Sequence, residues 1–153
     1  MIRLILNSSL FILTSFLLAQ TTFTEHAIST SADGARSVYA IDMDGDGDID
    51  VLSASSFDDK IAWYENDGNE NFTEHAISTS SMSVDGAWAV YAIDMDGDGD
   101  VDVLSASRND NKIAWYENDG NENFTEHAIS TSSISADGAW AVYAIDMDGD
   151  GDV

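Results

Sequence analysis

A segment of 52 residues recurs almost verbatim along this chain, and that repetition limits the fold more than any other property. The run AIDMDGDGD begins at Ala40, Ala92 and Ala144, and KIAWYENDGNENFTEHAIS begins at Lys60 and again at Lys112. The shorter run FTEHAIS starts at Phe23, Phe72 and Phe124, so its first spacing is 49 residues and its second 52. The difference falls between His26 and Asp33, an interval that is three residues longer in the two later copies (His75 to Asp85, His127 to Asp137). A length change absorbed there marks a surface connection, while the flanking elements keep their register. A unit of this size cannot bury its own apolar face, so each copy must be a supersecondary element that packs against its neighbours.

Within one period the pattern predicts four short strands and no helix. From Ala87 to Ile93 both alternating faces are largely apolar, as in a strand covered on both sides. Val103 to Ser107, Lys112 to Glu117 and Phe124 to Ile129 follow, separated by turns rich in Asn, Asp and Gly around positions 109–111 and 118–123. No segment after the first twenty residues carries helical apolar spacing with caps. The expectation is an all-β chain of four-stranded antiparallel units.

The chemistry is concentrated between the first two strands. The loop copies read Asp42-Met43-Asp44-Gly45-Asp46-Gly47-Asp48-Ile49-Asp50 and Asp94-Met95-Asp96-Gly97-Asp98-Gly99-Asp100-Val101-Asp102, with carboxylates at positions 1, 3, 5, 7 and 9. Calcium takes six to eight hard oxygens at about 2.3–2.6 Å, and alternating aspartates on a tight loop aim several of them at one point. Glycine at position 6 permits the turn. The position-7 aspartate, Asp48 or Asp100, fits better as a backbone carbonyl donor, and Ile49 or Val101 at position 8 is expected to point into the core. Two carboxylates about 5 Å apart repel by roughly 0.8 kcal/mol even in water, so without a cation the loop works against its own folding. A solvated acidic turn is the simpler alternative, but it does not account for copies with glycine in register. A helix-flanked calcium loop is disfavoured because its twelfth position should be glutamate and here is Ser53 or Ser105.

The pattern D-x-D-x-D-G-x-x-D between strands, followed by the IAWYENDG strand and turn, resembles the FG-GAP or VCBS-type repeat of integrin-alpha-like propellers. The resemblance covers residues 23–153. It implies β-propeller blades of four antiparallel strands, with calcium held in the loop between the first two strands of a blade, and a role in adhesion or ligand binding. Carried over by position, the ligands are Asp42, Asp44, Asp46, Asp48 through its carbonyl and Asp50, then Asp94, Asp96, Asp98, Asp100 through its carbonyl and Asp102. A third copy begins at Asp146, Asp148 and Asp150 and reaches Val153 before its position-9 aspartate. Two complete blades plus parts of others cannot close a ring of four to eight, so an N-terminal fragment of a longer propeller is expected.

Charge and composition narrow the class further. The formal net charge is -24, all 29 acidic residues follow position 20, and only Arg36, Lys60, Arg108 and Lys112 oppose them there. Such a surface repels nucleic acid and anionic membranes. At 44% apolar residues the chain has enough for a packed core, so the acid belongs to sites rather than to disorder. Residues 1–20 differ from the rest, with Arg3, a short polar-interrupted apolar run from Leu4 to Leu18, and Ala19 as a small cleavage-site residue. They read as a secretory signal peptide rather than a membrane anchor, leaving residues 21–153 as the repeat region of a protein secreted or held at the cell surface. The chain has no cysteine, which leaves calcium as the available extracellular staple.

Other residues carry less. His26, His75 and His127 share the context T-E-H-A-I, but equivalent positions of successive units lie apart and do not form one metal site. Trp63 and Trp115, each beside a tyrosine in an alternating strand, read as packing residues. Trp88 and Trp140 have Arg36 as their counterpart in the first copy, which places them near a rim where they could touch a ligand. Asn71-Phe72-Thr73 and Asn123-Phe124-Thr125 match the glycosylation acceptor pattern, but they recur only because the repeat does, and they read as turn residues. No Ser/His/acid set or paired carboxylates occur outside the acidic loops, so the sequence predicts no enzyme within these residues. Calcium and an extracellular protein or glycan are the expected partners. The alternative is the propeller portion of an extracellular hydrolase or lyase whose catalytic residues lie elsewhere.

Overall fold

The computed structural model describes residues 22–78, 84–130, 136–149 and 153; the expected signal peptide and Asp150 lie outside them. The described elements are eight strands: β1 (Ala35–Ile41), β2 (Asp50–Ser55), β3 (Lys60–Asn66), β4 (Phe72–Ala76), β5 (Ala87–Ile93), β6 (Asp102–Ser107), β7 (Lys112–Asn118) and β8 (Phe124–Ala128). They form two antiparallel sheets in simple meander order, β1-β2-β3-β4 and β5-β6-β7-β8. The described fold is therefore all-β, as the repeat required. No described helix is long and apolar enough to cross a membrane.

The boundaries differ from the sequence reading by one residue at three places. β6 starts at Asp102 because that aspartate pairs with Ile93. β7 runs to Asn118, which pairs with Phe124, and β8 stops at Ala128, the partner of Ala114.

The two registers are identical, down to a bulge near the start of the first strand. Ala35 pairs with Ser55 and Ser37 with Ala54, leaving Arg36 as the extra residue. Ala87 pairs with Ser107 and Ala89 with Ala106, leaving Trp88 in the same place. A bulge re-aims the side chain it carries, so Arg36 and Trp88 leave the alternation of their strands.

The sheets pack face to face, with β1, β2 and β3 all touching β5. Met43, Leu52, Ile61, Trp63 and Ile77 of the first unit meet Val84, Ala87, Val90, Val103 and Tyr116 of the second in one continuous core. Because the units share a sequence, burial differences between equivalent residues report packing alone. Val90 is 6% exposed where Val38 is 69%, and Ile77 is 1% exposed where Ile129 is 50%. Each sheet thus has one covered face, and the covered faces differ.

Tyrosines at equivalent positions meet from unit to unit, Tyr39 edge-on against Tyr91 at 5.1 Å and Tyr91 tilted against Tyr143 at 4.7 Å between ring centroids. Burial, reinforced by the hydroxyls of Tyr143 and Tyr39, pushes the Tyr91 phenol up to about 12. Trp140 and Tyr143 thus contact Trp88 and Tyr91 of β5, each one repeat after its partner.

Candidate metal centre

The acidic loop joins β1 to β2, and its first aspartate organises it. Asp42 Oδ1 accepts from the Gly45 amide at 2.9 Å and Oδ2 from the Gly47 amide at 3.1 Å, which winds the backbone around one carboxylate. Gly45 and Gly47 have φ of +77° and +96°, a region that glycine occupies without steric cost. Asp44 accepts from the Asp46 amide at 3.1 Å and Asp46 from the Asp48 amide at 2.8 Å, two successive turns of the same kind. The β5–β6 loop repeats the pattern, with Asp94 accepting from Gly97 and Gly99 at 2.8 and 3.0 Å.

The last aspartate ties the loop to the sheet. Asp50 is 1% exposed and accepts from the Met43 amide at 2.9 Å and the Asn66 amide at 2.8 Å. Asn66 also donates its side-chain amide to the Ile49 carbonyl at 3.1 Å. Asp102, equally buried, is held by Met95 and Asn118 at 3.0 and 2.8 Å, and Asn118 reaches the Val101 carbonyl at 3.2 Å. These asparagines were not among the sequence candidates. Their signal was available, since each closes the repeated IAWYEN run sixteen residues after the loop's last aspartate.

Together these bonds bring Asp42, Asp44 and Asp50 to one point, and Asp94, Asp96 and Asp102 to another, with one ligand atom from each within 4.8 Å of the others. Oxygens bound to a single calcium at about 2.3–2.6 Å lie no more than roughly 5 Å apart, so the donor set fits that ion. Asp46, Asp48, Asp98 and Asp100 stand outside the two clusters. The carboxylate of Asp48 lies over Gly68 in the β3–β4 turn, where an added Cβ would sit 2.5 Å from its Oδ2, and Asp100 lies over Gly120 in the same way. In the third copy Asp146 accepts from the Gly149 amide at 2.6 Å, which repeats the first step of the loop.

The electrostatics of the clusters are unfavourable as they stand. Asp44 is pushed above the ordinary carboxylate value by burial and by the nearby charges of Asp46, Asp50 and Asp42. Asp102 is raised by burial, against the lowering effect of the Asn118 and Met95 amides. The lysines are committed elsewhere, Lys60 to Glu74 and Asp58 at 2.7 and 3.4 Å, and Lys112 to Glu126 and Asp110 at 2.8 and 3.9 Å. A cleft of about 300 Å³ separates the loops, lined by Asp42 and Asp44 on one side and by Asp100 and Asn118 on the other.

The FG-GAP-like repeat profile matches residues 42–105 and again residues 94–153, each match opening on the first aspartate of an acidic loop. The chain belongs to the FG-GAP-like repeat family. No curated protein matches this FG-GAP-like repeat chain.

The remaining sequence candidates fall in separate places. His75 stacks on Trp63 at 4.5 Å and bonds Glu65 at 2.8 Å, and His127 stacks on Trp115 at 4.6 Å and bonds Glu117 at 2.6 Å. His26 instead meets Glu70 at 3.1 Å. Trp63 is fully buried in the core, whereas Trp115 is half-buried. Trp88 lies between Arg36 and Arg108, whose guanidinium carbons are 4.5 and 5.4 Å from its ring centroid.

Proposed function

We propose that this FG-GAP-like repeat protein is an extracellular binding or adhesion module, arranged as propeller blades and stabilised by calcium in its Asp loops. The observation that carries this reading is the gathering of three carboxylates within 4.8 Å at two equivalent points, each including an aspartate 1% exposed. Burying a carboxylate beside two others opposes folding unless a cation joins them.

In each site Asp42, Asp44 and Asp50, or Asp94, Asp96 and Asp102, would supply side-chain oxygens. Asp48 and Asp100 would add backbone carbonyls, while Asp46 and Asp98 would close the shell from the outside. Asp146, Asp148 and Asp150 would begin a third site. The ion would neutralise the loop and join β1 to β2, a structural rather than a catalytic service. The family match and the strongly acidic surface support an extracellular setting, where calcium is abundant and nucleic acid is not a partner.

Thermal unfolding of the chain in calcium, in magnesium and in chelator tests the reading. A ligand that binds only the folded state at about 100 times its Kd adds roughly 2.7 kcal/mol, so a clear rise in Tm is expected with calcium and a smaller one with magnesium. Asp44→Asn combined with Asp96→Asn, both at exposed positions, should abolish the rise. An unchanged Tm in a chain whose far-ultraviolet circular dichroism shows folded β-structure would overturn the metal assignment.

A further inference from the structure

In a chain whose copies are nearly identical, departures from the repeat are where individual chemistry resides. Arg36 stands where the later copies have Trp88 and Trp140, and Arg108 stands where the first copy has Ser56. These are the only arginines after position 20, and the fold brings both to one indole.

The result is a ladder of alternating rings and cations. The Arg36 guanidinium lies over Phe57 at 5.3 Å and over Trp88 at 4.5 Å, and Arg108 lies over Trp88 at 5.4 Å and Trp140 at 5.1 Å. Trp88 and Trp140 are themselves 4.9 Å apart. Phe57 is 70% exposed, Trp140 is 58% exposed, and Arg36 and Arg108 are exposed as well. The bulges that displace Arg36 and Trp88 from their strands are what aim them here.

Electrostatics makes this arrangement unusual. In a chain carrying -24, each lysine is held by two carboxylates, yet both arginines stack on aromatic faces. Arg36 donates Nε to Ser56 Oγ at 2.9 Å, and the attraction of a guanidinium to an aromatic ring does not of itself consume the remaining N–H donors, which can serve a ligand. Of the aspartates in the adjoining turns, Asp58 and Asp110 are engaged by Lys60 and Lys112, Asp59 by the Gly86 amide at 2.7 Å and Asp85 by the Asn109 side-chain amide at 2.9 Å, while Asp33 is exposed. The acidic loops lie at the far end of the strands, roughly 20 Å away at 3.3 Å per residue.

We propose that Arg36, Trp88, Arg108 and Trp140, with Phe57 at the edge, bind an acidic saccharide. A fork of in-plane N–H donors matches a carboxylate or sulfate, and a neighbouring exposed indole presents an apolar face to the C–H side of a sugar ring. This deepens the reading of the chain as a binding module by assigning its ligand class and its contact surface.

The repeat provides the controls. Arg36→Trp and Arg108→Ser install residues that the other copies already carry at those positions, so the fold accommodates them. Calorimetric titration in calcium would compare cellobiouronic acid, cellobiose 6-sulfate and neutral cellobiose. Binding of either acidic sugar with no binding of the neutral one is expected; the stronger of the two identifies whether carboxylate or sulfate is read. Each arginine variant should weaken that binding about tenfold or more, as loss of a charge-assisted hydrogen bond does, and Trp140→Ala should weaken it further. No binding of either acidic sugar, equal binding of cellobiose, or arginine variants that bind as the parent does would each overturn the site. A calcium melt on the same samples separates the causes: a calcium-dependent Tm without sugar binding refutes this site alone, and loss of both refutes the module reading beneath it.

Discussion

Individual side chains here do work that charge totals conceal. Glu74 is held below the ordinary carboxylate value by hydrogen bonds from Lys60 Nζ and Ser31 Oγ. Burial works against the charge on Lys60, but the bond to Glu74 outweighs it and the ammonium is raised. A carboxylate depressed in the folded state contributes stability above its unfolded value near 4.5, and that contribution disappears as pH falls through the folded value. The raised lysine keeps its share below 10.5 and loses it only in strong alkali. At pH 7 Glu74→Gln should therefore cost about 0.2–1 kcal/mol in urea unfolding, as expected for a partly exposed pair. At pH 3 the variant and the parent should converge; an undiminished difference would assign the effect to packing.

Strands and sheets were readable in the sequence because the repeat samples the same pattern more than once. The alternation of Ala87 to Ile93, and the turn residues that divide each unit, fixed strand number and order to within a residue at the ends. The acidic loop was equally visible in its spacing, yet spacing alone did not separate Asp42, Asp44 and Asp50, whose oxygens gather within 4.8 Å, from Asp46 and Asp48, which stand outside that group. That distinction depends on which backbone amides each carboxylate captures, and on Asn66, a partner sixteen residues downstream of Asp50. The bulges at Arg36 and Trp88 were also hidden, since the exchange of Arg for Trp pointed to a rim position but not to a break in the strand's alternation. The identical units offer a direct measure of inter-sheet packing. Ile77 is 1% exposed against the second sheet, and Ile129, its counterpart, is 50% exposed. Ile77→Ala should cost about 2–5 kcal/mol in denaturant unfolding, whereas Ile129→Ala should cost well under half as much. Equal losses would show that the burial of the two sheets is the same in solution.

At the scale of the whole molecule, the faces left uncovered resemble the faces that are buried. Val38 lies 69% exposed on the first sheet, while Val90, the same residue one repeat later, is 6% exposed because the first sheet packs on it. Ile28, Val51 and Tyr64 border Val38 around an open groove of about 160 Å³. An exposed apolar face that matches an interface already formed within the chain is suited to accept another sheet of the same sequence. Head-to-tail association between copies is the expected outcome, and it should be opposed by the repulsion of two chains carrying -24 each. Calcium lowers that charge, so association should strengthen with calcium and with moderate salt, both of which relieve the repulsion without weakening apolar contact. Light scattering across a concentration series would show the mean mass rising in calcium and falling toward the monomer in chelator at low salt. Val38→Asp places a charge on the open face at a position exposed in the single chain, and should hold the protein monomeric without lowering its Tm. A monomer at every concentration in calcium would mean that the exposed face of the first sheet does not accept a second copy.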